Sequence, residues 1–255
     1  MDKVIKGLPN TDDPLNPLKQ FTAARIAIGR AGVSIPTKQS LEFNLAHAHA
    51  RDAVYSVLDI DALSEKLKPF GLPVLALHSK AENRAQYLQR PDLGRKLKKS
   101  SAHKLEDNAG DYDIVIIIAD GLSATAVNEH AVNLLQKLIS LLVAAKLKLA
   151  PVCLMEQGRV AAGDKVAHLL NAKFSVLLIG ERPGLSAADS IGAYLTYDPK
   201  PGLTDESRNC ISNIRPKGLP SKLAAEKIFY LIQESFRLKL SGVALKDNQG
   251  LISNL

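Results

Sequence analysis

The amino-acid sequence predicts an α/β fold, a doubly wound parallel sheet of Rossmann-like type preceded by an N-terminal helical region. Two observations carry this. The stretches 114–119, 152–155 and 175–179 are continuous apolar runs rich in Val, Ile and Leu, the pattern of strands buried on both faces. Helical stretches separate them, first 123–147 with Ser123 as N-cap and a long apolar stripe, then the shorter 164–170, so this part reads β-α-β-α-β. Such alternation implies parallel strands with right-handed crossovers and helices on the faces of the sheet.

The other elements follow in chain order. The first 15 or so residues, with Pro9 and Pro14 and no periodicity, read as an arm. From Leu18 the pattern turns helical: Leu18, Phe21, Ala24, Arg25 and Ile28 follow i, i+3, i+4 spacing, and Gly32 and Pro36 supply stop signals for a first helix. A second helix is expected over about 38–58, with Leu41, Leu45, Ala48, Val54 and Tyr55 in one broad stripe. A short third starts at Asp59 and Asp61 and ends near Gly71, and 73–77 reads as a strand. The polar stretch 79–111, with Arg95, Lys96, Lys98, Lys99 and Lys104 close together, is expected to be a long connection or a partner-facing lobe at a boundary. After the last of the three apolar strands, 183–216 reads as loop-rich, and an amphipathic helix is expected from about 220 to 240, ending at Gly242. The division adopted is an arm and helical region over 1–72 and an α/β domain over 73–255.

Composition narrows the classes. With 46% apolar and 23% charged residues, the chain is neither collagenous nor wholly disordered. The apolar run 138–145 is closed by Lys137 and Lys146, far short of the roughly 20 residues a membrane helix needs, so no membrane span is expected. The N-terminus lacks the apolar core of a secretion signal. Cys153 and Cys210 belong to no Cys-x-x-Cys pair, which argues against a disulfide framework. An excess of 33 basic over 26 acidic residues, +7, suits nucleic acid, an anionic ligand or an acidic protein partner. With only 5% aromatics and no Trp, nucleic acid loses its usual stacking residues and is not expected as a partner.

In an open parallel sheet, ligands bind beyond the carboxyl ends of the strands. There the sequence places Asp120-Gly121-Leu122-Ser123, then 156–160, then 180–184, each with a glycine and a charge. Glycine lets a backbone approach a ligand closely, and carboxylates accept hydrogen bonds from a polar molecule. No Gly-x-Gly-x-x-Gly, P-loop or Gly-x-Ser-x-Gly occurs, and Ser123 reads as an N-cap rather than a nucleophile. His47 and His49, about 200° apart around a helix, cannot share a metal. No catalytic or metal-ligating residue is therefore assigned. The polar stretch 205–216 is either a surface hairpin or part of the site, and Cys210 beside Arg208 has no base in view.

Eight segments together resemble one family. They are Phe21-Thr-Ala-Ala-Arg-Ile-Ala-Ile-Gly-Arg-Ala-Gly32, Leu45-Ala-His-Ala-His-Ala-Arg-Asp52, Arg90-Pro-Asp-Leu-Gly94, Ala119-Asp-Gly-Leu-Ser-Ala-Thr125, Glu156-Gln-Gly-Arg-Val160, Ile179-Gly-Glu-Arg-Pro-Gly-Leu185, Arg208-Asn-Cys-Ile-Ser-Asn-Ile-Arg-Pro216 and Leu240-Ser-Gly-Val-Ala-Leu-Lys-Asp247. In this order they look like the small (light) subunit of ethanolamine ammonia-lyase. The resemblance implies a lyase that pairs a large subunit, which holds the substrate, with this small one in a higher hetero-oligomer. It implies adenosylcobalamin as cofactor, cobalt–carbon homolysis as the radical source, and conversion of ethanolamine to acetaldehyde and ammonia. By the same resemblance 73–255 is a cobalamin-binding domain, and the cofactor-binding positions are Val160, through its backbone carbonyl, Glu181 and Cys210. The corrin rim carries amide donors that such acceptors would meet. No Asp-x-His-x-x-Gly occurs, which implies base-on binding. Longer family members have an N-terminal extension linked to packaging, whereas about 20 residues precede the first match here, leaving bacterial microcompartment and cytoplasm both open. The alternative function is a non-catalytic cobalamin-binding or scaffold protein.

Overall fold

The computed structural model describes residues 14–22 and 24–248. Six strands form one sheet: β1 (Val74–His78), β2 (Tyr112–Ala119), β3 (Val152–Glu156), β4 (Ala172–Gly180), β5 (Ile191–Tyr197) and β6 (Asn209–Ile214). Their order is β1-β3-β2-β4-β5-β6. The first four run parallel, with Ile117 of β2 opposite both Cys153 of β3 and Leu177 of β4. β5 and β6 pair antiparallel, so the sheet is mixed and the all-parallel expectation is corrected. The reason lies in the connections. A parallel return needs a crossover of a dozen or more residues, and 181–190 holds no helix.

Among the described residues the α-helices are α1 (Thr37–Tyr55), α2 (Ile60–Leu67), α3 (Arg84–Gln89), α4 (Pro91–Gly94), α5 (Lys99–Glu106), α6 (Ala124–Ala144), α7 (Ala162–Leu169) and α8 (Ser221–Leu238). Because side chains alternate across a strand, β2 sends Ile114, Ile116 and Ile118 to one apolar cluster and Val115, Ile117 and Ala119 to another. The first cluster is closed by α2, α6 and α8, the second by α5 and α7. Phe236 of α8 meets Phe174 of β4 at 5.8 Å between ring centroids and Tyr197 of β5 edge-on at 5.9 Å, which seats α8 over the antiparallel half.

Three further expectations meet the structure here. The second and third helices and the first strand form where expected, with Gly71 ending its helix at φ +67°. The helix expected over 18–32 does not form: a short 3-10 turn, Asn16–Gln20, is followed by irregular backbone with Ala27 at φ +50° and a tight turn bridging Ala31 and Ser34. Its apolar residues have no core beneath them, as Phe21 is 79% exposed, and periodicity without a burial partner does not hold a helix. The stretch 79–111 is not a loose connection. It folds as α3, α4 and α5, and Tyr87, Leu97 and Leu105 are buried. The arm expected over the first 15 residues lies mostly outside the described residues.

Candidate functional site

From β2 the chain steps through α6 to β3 on one side, then through α7 to β4 on the other. The loops 120–123, 157–161 and 181–182 therefore meet at the carboxyl edge around a reversal of strand order, where α/β sheets hold ligands. A cleft of about 390 Å³ opens there, lined by Tyr87, Leu122, Arg159, Val160, Glu181 and Tyr194 among others.

Asp120 organises the cleft from beneath. It is buried, and its carboxylate accepts the backbone N–H of Gln157 at 2.8 Å and of Gly158 at 3.0 Å. The loop that carries Arg159 and Val160 is thus tied to the end of β2. Burial pushes the Asp120 carboxyl up to about 6, against the pull of those amides and of Arg84, whose guanidinium lies 3.8 Å away. Arg84 also donates to the carbonyls of Val54 at 2.6 Å and Gly121 at 2.8 Å. Tyr87 sits between two cations, with the guanidinium carbons of Arg84 at 4.8 Å and Arg159 at 4.2 Å from its ring centre. Its hydroxyl donates to the Gly158 carbonyl at 3.0 Å, and burial raises the phenol well above its ordinary pKa. Sequence reasoning missed Arg84 and Tyr87 by treating 79–111 as a connection. The signal was present: Asn83 caps α3 by accepting the Gln86 N–H at 3.0 Å, and residues three apart on a helix share a face.

The three positions singled out by resemblance are placed as follows. Val160 and Glu181 line the same cleft. The Val160 carbonyl accepts the Gly163 N–H at 3.0 Å at the start of α7, leaving a second lone pair. Glu181 accepts from the Ser212 hydroxyl and from the Asn213 backbone N–H at 3.1 Å, which draws β6 toward the end of β4. Cys210 does not line that cleft; it lies opposite Tyr194 in the β5–β6 ladder, and Tyr194 does. Cys210 is exposed as a residue, yet burial of its sulfur is the largest cause raising the thiol pKa, with Glu181 adding to it and the hydrogen bond with Tyr194 opposing it. A raised thiol stays protonated at neutral pH, so the site holds no activated sulfur nucleophile at Cys210.

The glycines of the strand ends serve the chain itself. A Cβ at Gly121, which sits at φ +57°, would lie 2.2 Å from the Gly180 carbonyl oxygen, and one at Gly180 would lie 2.0 Å from that of Ser123. They let the ends of β2 and β4 touch, and the Leu122 N–H donates to Gly180 at 2.9 Å. Ser123 is the N-cap of α6, accepting the Ala126 N–H at 3.4 Å. Arg208 is buried and paired with Asp164 and Asp205, clamping 203–208 onto α7. Glu129, His130 and Asp189 lie together, but Asp189 is already held by Arg215 at 2.7 Å, which places a competing cation at any metal position.

Fold and cleft define a class: an α/β protein whose candidate small-molecule site is built by loops at the carboxyl edge of its sheet. A sequence model of the ethanolamine ammonia-lyase light chain matches residues 12–246. The ethanolamine ammonia-lyase small subunit of Azotobacter vinelandii is 51% identical over 94% of this chain and 90% of its own. That of Pseudomonas putida is 51% identical over 97% and 91%, and that of Pseudomonas fluorescens 53% over 92% and 88%. The chain belongs to the ethanolamine ammonia-lyase light-chain family, and its role is that of a lyase subunit. No helix among the described residues is long and apolar enough to cross a membrane.

Proposed function

We propose that this chain is the small subunit of an adenosylcobalamin-dependent ethanolamine ammonia-lyase, supplying part of the cobalamin surface while a large subunit holds the substrate. The observation that carries the reading is the convergence of Val160 and Glu181 on one cleft, with Cys210 reached through Tyr194. The residues present fit such a group. A macrocycle rimmed with amides needs both acceptors and donors, and the cleft region offers the Val160 carbonyl and Glu181 together with the buried, unpartnered Gln157 Oε1 and Arg159 Nε. When bound, adenosylcobalamin supplies the radical by cobalt–carbon homolysis. The chain's own part is to position: Asp120 fixes the loop bearing Val160, and the Ser212 and Asn213 contacts fix Glu181. Among the described residues there is no activated nucleophile in the cleft, so substrate handling falls to the partner.

The apolar face of α1 supports the same partner. Leu41 is 63% exposed and Leu45 58%, the kind of surface that a permanent subunit interface covers. The assembled enzyme belongs in the cytoplasm or a bacterial microcompartment, which fractionation of cells grown on ethanolamine separates. The direct test is co-production with a large subunit, followed by an ethanolamine-dependent aldehyde assay. Activity is expected for the complex and for neither subunit alone. Ammonia release by the small subunit alone, or failure of the two to associate, overturns the reading. Hydrogen exchange of free and assembled chain should show gained protection over 37–55.

A further inference from the structure

A second cleft, of about 890 Å³, adjoins the first and shares Arg159, Val160 and Tyr194 with it. Six cations line it: Lys80, Arg95, Lys96, Lys99, Arg159 and Lys165. Arg95, Lys96 and Lys99 come from the basic stretch at the α4–α5 turn and α5, and the fold brings Lys80 from the end of β1, Arg159 from the β3 loop and Lys165 from α7 to the same cleft. Lys98 and Lys104, in the same basic stretch, do not line it, and Lys104 instead donates to the Ala76 carbonyl at 3.2 Å. Two carboxylates, Asp164 and Asp205, reach the cleft, and both are committed to Arg208. None of the six cations forms an ion pair among the described residues.

The walls are tied to one another by the chain's own contacts. The Lys80 N–H donates to the Lys96 carbonyl at 2.8 Å, Ser79 bridges to Leu97, and Arg159 is fixed over Tyr87. The lining between the cations is largely apolar, from Leu97, Ala102 and Leu203. Uncompensated like charges over an apolar floor focus a positive field, and the volume falls in the range of small-molecule sites. One carboxylate would satisfy one cation. Several convergent donors of both the forked Arg and the point-charge Lys kind suit phosphate, and the apolar floor suits an organic body attached to it.

We propose that this cleft binds a phosphate ester. Two sources carry that chemistry: a free phosphorylated metabolite, or the phosphodiester of the cofactor's own nucleotide tail, the latter resting on the cobalamin reading above. The experiment uses the complex with its large subunit, in wild-type form, as the double variant Lys96→Glu/Lys99→Glu, and as the milder Lys96→Gln/Lys99→Gln. ADP is titrated by calorimetry at low and high salt, and the affinities for hydroxocobalamin and for cobinamide, which lacks the nucleotide tail, are compared.

A free phosphate ester predicts ADP binding that weakens with salt and falls about 10- to 100-fold in the variants, with both corrinoids unaffected. The cofactor's phosphate predicts a similar loss for hydroxocobalamin and none for cobinamide, with ADP silent. Silence toward ADP together with an unchanged cobalamin-to-cobinamide ratio in the Gln variant overturns the proposal. So does loss of assembly in the Glu variant with neither ligand effect in the Gln variant, which identifies the cleft as a seat for an acidic protein surface. Failure of both corrinoids to bind the wild type removes the cobalamin reading alone and leaves the ADP outcome to decide this one.

Discussion

Two long helices carry apolar residues at helical spacing, densely in α6 and sparsely in α1, and meet opposite fates. α6, over Ala124–Ala144, buries nine of its residues between the sheet and α8, from Ala124 through Leu135 to Leu142. α1, over Thr37–Tyr55, buries only Ala53 and leaves Leu41, Leu45 and Tyr55 exposed. The difference is in what stands opposite. α6 connects two adjacent parallel strands and is laid on their apolar face by that connection, whereas α1 precedes the sheet, packs mainly on α6 and is tied to α3 where its Val54 carbonyl accepts from Arg84. An apolar period thus reports a face that wants covering, and topology decides whether the same chain or another covers it.

The contrast can be broken most directly by truncation. Leu135→Ala in α6 should cost about 2–5 kcal/mol, the usual range for emptying a core site, while Leu41→Ala in α1 should change stability by no more than about 0.5 kcal/mol. Denaturant unfolding of the isolated chain measures both, and equal costs would mean that α1 is packed within the chain after all.

Beneath the carboxyl edge the expected effect is set by proton linkage. Asp120 rises from an ordinary 3.8 to about 6 in the folded chain, so the folded state binds the extra proton between those values. Its contribution to stability therefore falls as pH rises from about 4 to about 6, and Asp120→Asn should remove a slope worth about 3 kcal/mol across that window. Parallel pH profiles for wild type and variant would show that the carboxylate is not buried against Gln157 and Gly158. The titratable groups facing it are Arg84 and Tyr87, neither of which changes charge in that range.

Smaller effects separate side chain from backbone at the cleft surface. Glu181→Ala should weaken cobalamin binding by the complex roughly 10- to 150-fold, with Glu181→Gln losing less, because a charged acceptor is worth about 1.5–3 kcal/mol. Val160→Ile and Cys210→Ser should stay within about tenfold, since the first acts through its carbonyl and the second keeps a similar volume. Loss of binding in Cys210→Ser with none in Glu181→Ala would reverse the assigned roles.

The legible parts of the fold were those where local pattern and tertiary environment agree. The central stretches 114–119, 152–155 and 176–179 of β2, β3 and β4 are buried on both faces and apolar throughout, which no neighbouring context is needed to see. β5 and β6 were hidden. β6 is an edge strand whose Asn209, Ser212 and Asn213 read as turn formers, and β5 interleaves Gly192 and Thr196 with its apolar residues. At the site, the loops after β2, β3 and β4 could be named from their position at strand ends. What the sequence could not show is that Gly121 and Gly180, which line the cleft, also let the backbones after β2 and β4 touch each other.

By itself the sequence determined the α/β class, the three central strands, the long helices and, through its motifs, the family. Those properties follow from periodicity and from contiguous residues, both of which are local. The tertiary structure alone decided the antiparallel half of the sheet, the Arg84–Tyr87–Arg159 stack over Asp120, and the gathering of six cations from five segments around one cleft. Each of these depends on which distant segments become neighbours, and that is fixed by burial of the whole apolar surface at once rather than by any stretch of chain.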